Sequence, residues 1–328
     1  MVYLSNKNVV VGMELNEMRG LSKDAFHVGI LIGLVVILIG TIIFVFGCGS
    51  VDQFIPGTCG IWWTAFGKPS VLILHGDDGL GDPELLGEIF RDQRHLGIGN
   101  VQIRHMKSLS LGNLQQYDLV IVDHARTMST EKMNMLIEYM GGGGRLVWLG
   151  DAGAQAAEGD TLLQRWQRPG TDFNNYDVNA TFGPWVRRDG EDIIGLDEFI
   201  GVNYVGNYCD VKSCDNEFPF VGKPDLVEPD HDLVRGTKPG LALYGNFAIV
   251  KVSDRTAATT IANIDFGSVL ISDDGRNYDN IFPFIVTAGL GERVAYYSIP
   301  PEMFTSDEMP NGEKYYSFVE NMYYSAVE

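Results

Sequence analysis

Six residues suited to acid–base or metal chemistry fall directly after apolar runs. His75, Asp77 and Asp78 follow Ser70-Val-Leu-Ile-Leu, Asp123 and His124 follow Leu119-Val-Ile-Val, and Asp151 follows Leu146-Val-Trp-Leu-Gly. Each run reads as a buried strand. If the strands are parallel, their C-terminal ends share one edge, and that edge is where open α/β sheets bind ligands. Four carboxylates and two imidazoles gathered there could hold a divalent cation. Asp151 could instead be a nucleophile with His75 or His124 as its base. The same residue types are also ordinary after strands. Asp and Gly make turns, and Asp77 or Asp78 could simply cap the helix that begins near Pro83. No other cofactor is implied.

The elements that would carry these residues are legible in order. Ser70 to Leu74 predicts a strand, Pro83 to Leu96 a helix with Leu85, Leu86, Ile89 and Phe90 on one face, and Val101 to Met106 a second strand. Tyr117 to Gln155 then repeats the theme. Met133, Leu136, Ile137 and Met140 recur at helical spacing after Ser129, and Gly141 to Gly144 stop that helix. This is the pattern of a mostly parallel sheet flanked by helices. The glycine run ends a helix rather than beginning one and lacks a P-loop lysine, so it is no phosphate cradle. Residues 169–195 read as a long excursion, and Leu196 starts a short helix. Leu241 to Val252 and Thr259 to Phe266 read as antiparallel strands. Phe282 to Val286 and Arg293 to Ile299 form a late hairpin. Glu313 to Val327 predicts a closing helix. His231, between Asp230 and Asp232, reads as a surface turn residue.

The 24 basic and 43 acidic residues give a net charge of −19. That excludes a basic nucleic-acid face and a polybasic grip on anionic lipid. The 19 residues from Val28 to Phe46 carry no charge, which predicts a transmembrane helix. Lys7, Arg19 and Lys23 precede it, and no Lys or Arg occurs from Cys48 to Gly67, so the N-terminus is expected in the cytoplasm and the rest outside. The expected domains are a cytoplasmic segment (1–27), a single-pass signal anchor (28–47), a linker (48–68) and an extracytoplasmic α/β domain (69–328). Two processing sites compete with the anchor: a lipoprotein-like site before Cys48 and a prepilin-like site after Gly20. All four cysteines (Cys48, Cys59, Cys209 and Cys214) lie at or beyond the end of the apolar run. Nearness in sequence favours disulfides Cys209–Cys214 and Cys48–Cys59 in an oxidising compartment. Neither spacing is that of a structural zinc knuckle. Asn179 opens a glycosylation sequon.

The order of elements, the strand–turn Leu146 to Gln155, the segment Asp230-His-Asp-Leu-Val-Arg-Gly, and Ser298-Ile-Pro-Pro-Glu-Met-Phe after the hairpin together resemble the class I glutamine amidotransferase-like fold over residues 69–326. The resemblance implies a flavodoxin-like α/β sandwich. Active members carry Cys-x-Gly-His-Gln at the elbow where this chain has Asp151-Ala-Gly153-Ala-Gln155, and His-Pro-Glu where it has Pro300-Pro301-Glu302. Thiol and imidazole are both missing, so glutaminase chemistry is excluded. The expectation is a non-catalytic, membrane-anchored binding or scaffolding protein of the cell envelope with an envelope protein or glycan as partner. The alternatives are a metal-assisted hydrolase at the sheet edge and a pilin-like subunit assembling through Val28 to Phe46.

Overall fold

The computed structural model describes residues 27–40, 69–160, 183–189, 192–216, 218–235, 237–238, 240–307, 309–310 and 314–327. The chain divides into two units, the second being Gly67–Val327. In the first unit residues 27–40 are helical. The expected anchor is corrected here: among the described residues no helix is long and apolar enough to cross a membrane. The expectation counted uncharged positions, and an uncharged run fixes composition but not helix length. Residues 41–46 of the expected span, both processing sites, the linker 48–68, Cys48, Cys59 and Asn179 lie outside the described residues.

The second unit is built on a nine-stranded mixed sheet. Its strands are β1 (Ser70–His75), β2 (Asn100–His105), β3 (Leu119–Val122), β4 (Arg145–Leu149), β6 (Phe220–Leu226), β7 (Leu243–Tyr244), β9 (Ala258–Asp265), β10 (Ile281–Ala288) and β11 (Val294–Tyr297), while β5 (Val202–Asn207) and β8 (Ala248–Val252) pair separately. The spatial order is β7-β6-β9-β10-β11-β4-β3-β1-β2. The block β2-β1-β3-β4-β11 is parallel throughout. Its order is the flavodoxin-like 2-1-3-4-5, which reverses between β1 and β3. The late hairpin β10–β11 is antiparallel as the sequence predicts, and β9, β6 and β7 extend it as an antiparallel wing.

Both faces of the sheet are buried along β1, β3, β4 and β11, which read as apolar runs, whereas the edge strand β2 carries Gln102 and Arg104 and is mostly half-buried. Val71 and Ile73 pack on one face with Leu86 and Phe90 of helix α1 (Pro83–Arg91) and Val319 and Tyr323 of the closing helix α3 (Tyr316–Val327). Leu72 and Leu74 pack on the other with Met133, Leu136 and Met140 of α2 (Thr130–Gly141). Ser129 caps α2 by accepting from the Lys132 amide, and Gly142 ends it. Asp82, not Asp77 or Asp78, caps α1, accepting from the Glu84 and Leu85 amides.

Candidate functional site at the switch point of the parallel sheet

The turn from Gly76 to Asp82 leaves β1, folds back over the end of β3, and enters α1. Gly76 N–H donates to the His124 carbonyl at 2.8 Å, and His124 N–H donates to the Leu80 carbonyl at 3.0 Å. The His124 ring donates from Nδ1 to the Gly81 carbonyl at 3.1 Å. His124 holds φ at 45°, a left-handed conformation uncommon outside glycine. Asp78 accepts from the Thr127 amide and hydroxyl at 3.2 and 3.1 Å. Asp78 thus fastens the turn, and Gly81, at φ 107°, lets it pass directly over the Asp123 carboxyl.

Asp151 is 1% exposed. Its Oδ1 accepts from the Leu80 amide at 2.8 Å, and its Oδ2 accepts from the Asn207 side-chain amide at 2.8 Å. Arg126 Nε lies 3.6 Å from Oδ2. The elbow around it is pinned from below. Trp148 and Trp185 both donate their indole N–H to the Ala152 carbonyl, at 3.0 and 2.8 Å. Tyr296 donates to the Gly150 carbonyl at 3.0 Å. Arg187, fully buried, donates to the carbonyls of Pro184, Met128, Gly153 and Gln155. Burial pulls its guanidinium down to about 10, which leaves it charged at neutral pH. Asp151 at this elbow is a buried acceptor joining three segments, with both oxygens occupied.

Asp123 and Glu302 meet beneath Gly81. A β-carbon on Gly81 would sit 1.9 Å from Asp123 Oδ1 and 3.0 Å from Glu302 Oε1. Both carboxyls are fully buried. Glu302 Oε1 accepts from the Asp82 amide at 3.0 Å. No well-formed hydrogen bond reaches Asp123 Oδ1, Asp123 Oδ2, Glu302 Oε2 or the Tyr323 hydroxyl, which faces Glu302. Burial first, and then the Glu302 charge, hold Asp123 well above the usual carboxylate range. Burial pushes Glu302 up to about 8. Two like charges cannot both ionise in such a place, so the pair holds a proton at neutral pH.

Above this floor lies a cleft of about 550 Å³ at the β1–β3 reversal, lined among others by His75, His124, Asp82, Glu84, Phe218 and Met303. His75 Nδ1 donates to the Gly76 carbonyl at 2.9 Å. A carbonyl only accepts, so in both neutral imidazoles the proton sits on Nδ1 and Nε2 carries a lone pair. Asp77 faces elsewhere. It is exposed and pairs with His105 Nε2 at 2.9 Å and Lys107 Nζ at 2.8 Å, hydrogen bonds that hold its carboxyl down to about 2.

The structure therefore brings His75, Asp123, His124 and Asp151 to one edge, and it turns Asp77 and Asp78 to neighbours of their own. Among the described residues no group of three or more His, Cys, Asp or Glu is arranged to hold a metal ion. Cys209 and Cys214 form the expected disulfide. His231 lies at the other end of the sheet, paired with Glu292 at 2.7 Å. Sequence reasoning did not reach Asp82, Asn207, Arg187 or Tyr323. Each contributes through a partner far along the chain, such as Asp82 with Glu302, and no spacing signals such a meeting. The resemblance at Pro301-Glu302 was the one pointer available.

The chain matches no protein-family model, and no curated protein matches it. Solved structures do share its architecture. A ThuA-like protein from Bacteroides uniformis ATCC 8492 is 13% identical, with 79% of this chain and 92% of that one covered at a TM-score of 0.50. A ThuA-like protein from Parabacteroides merdae ATCC 43184 is also 13% identical, covering 70% and 79% at a TM-score of 0.36. A β-galactosidase from Rahnella sp. R3 is 14% identical over 81% of this chain and 33% of its own, at a TM-score of 0.45. At such identities the likeness concerns architecture alone: over 79% of its length this chain has a ThuA-like, glutamine amidotransferase-like fold.

Proposed function

We propose that this protein is a binding module of the cell envelope that keeps an amidotransferase-like scaffold without its chemistry. The observation that carries the reading is the state of Asp151. A nucleophile must be reachable and free to attack, whereas this carboxylate is 1% exposed and accepts from Leu80 and Asn207. Pro300 stands where the resemblance puts the histidine. The cleft at the strand-order reversal supplies a place for a small polar ligand or for a polar group of a larger envelope protein or glycan. The Cys209–Cys214 disulfide supports a working place outside the cytoplasm.

The test is turnover by the full-length protein on a panel of chromogenic esters, amides and glycosides. The expected result is no activity above buffer. Activity that disappears in Asp151→Ala, with folding retained, would overturn the reading.

A further inference from the structure

The groups around the cleft determine what it can hold. His75 and His124 each spend their Nδ1 proton on a backbone carbonyl, so each neutral ring can only accept at Nε2. Asp82 and Glu84 are carboxylates at the rim, and no Lys or Arg is among the lining residues. The first turn of α1 could otherwise favour an anion. Its amide donors are already taken, because Glu84 and Leu85 donate to the Asp82 side chain and Leu86 to the Asp82 carbonyl. The Asp82 amide is taken as well, by Glu302. Phe218 and Met303 supply an apolar wall. Beneath the cleft, the buried Asp123 carboxyl meets Glu302 under Gly81, a lining residue.

We infer that the cleft binds a small organic cation, a primary aliphatic ammonium whose three N–H donors are shared among the acceptors of His75, His124, Asp82 and Glu84 while its carbon chain lies against Phe218 and Met303. Such a cation supplies donors to a lining in which the side-chain acceptors outnumber the hydroxyl donor of Ser306. An anion would meet two carboxylates with no cation to offset them, and a neutral alcohol would gain hydrogen bonds without the charge. The inference rests on the binding reading above and fails separately from it.

Three matched five-carbon probes separate the possibilities: cadaverine, pentanediol and glutarate, titrated calorimetrically into the full-length protein at neutral pH. Cadaverine should bind at least about ten-fold more tightly than pentanediol, and glutarate should not bind. Glu84→Gln, an exposed substitution that leaves the fold alone, should weaken cadaverine about five- to ten-fold and leave pentanediol unchanged. Pentanediol or glutarate matching cadaverine would overturn the cation preference while leaving a binding cleft. Absence of cadaverine binding, or an unchanged affinity in Glu84→Gln, would also overturn the inference.

Discussion

Replacing Glu302 with glutamine should remove much of the loss of stability that this protein undergoes as pH rises. In the folded state burial holds the Glu302 proton up to about 8, against an ordinary value of 4.5. Between those values the unfolded chain has released the proton and the folded chain has kept it. Folding then takes up a proton, so stability falls as pH rises through this window and the full loss is reached above about pH 8. At roughly 1.4 kcal/mol per pH unit the loss is of the order of 5 kcal/mol. Asp123 is displaced in the same direction, first by its own burial and then by the Glu302 charge, so the variant keeps the part of the pH dependence that comes from Asp123 burial. Glutamine keeps the oxygen that accepts from Asp82 N–H and presents an amide donor to Asp123. Urea unfolding followed by tryptophan fluorescence at about pH 5, 7 and 9 reads the effect. Glu302→Gln should match wild type within about 1 kcal/mol at the acid end and exceed it by about 2–4 kcal/mol at the alkaline end. A wild type whose stability is flat across this range would refute the reasoning. A variant weaker by the same amount at all three values would refute it too.

Other perturbations have equally definite outcomes. Asp151→Asn turns one oxygen into a donor facing the Asn207 amide, and should cost about 1–3 kcal/mol in urea unfolding through that donor–donor clash. Gly81→Ala would drive a methyl to 1.9 Å from Asp123 Oδ1 at a φ of 107°, and should cost about 3 kcal/mol or more, seen as a lowered melting temperature or loss of soluble protein. Arg187→Met removes the donors to the carbonyls of Pro184, Gly153 and Gln155 and one of the two donors to the Met128 carbonyl, which keeps the Ala157 amide, and should cost about 3–5 kcal/mol with faster amide exchange at the elbow. Reducing Cys209–Cys214, whose ends are 5 residues apart, should lower stability by only about 2 kcal/mol, measured as a modest drop in melting temperature.

The β3–α2–β4 unit was legible because its signals are local. Four buried apolar residues in a row, a Ser cap, helical spacing of Met133, Leu136 and Met140, and a glycine stop all act within one short stretch. The hairpin β10–β11 was legible for the same reason. The joining of β9 to β6 and of β6 to β7 was not, since a two-residue edge strand and the bulge between Phe220 and Gly222 leave almost no periodicity to read. In the site, His75, Asp123, His124 and Asp151 follow from strand ends meeting at one edge. What each carboxyl does there depends on partners brought from afar. Asp151 is locked by Leu80 and Asn207, and Asp123 is left with Glu302, contacts that only the folded chain creates. The anchor expectation erred in the opposite way, by reading a structural element from composition with no partner to constrain it.

The role proposed for the cleft between β1 and β3 is to bind a ligand without transforming it. Nitrogen-15 labelling of the histidines in the full-length protein tests this most directly. On addition of cadaverine, the His75 and His124 ring resonances should shift to saturation. Those of His95 and His231, paired away from the cleft with Glu320 and Glu292, should stay in place, and the ligand should be recovered unchanged. Saturable binding that leaves the His75 and His124 rings unmoved, or the appearance of a product, would contradict the account.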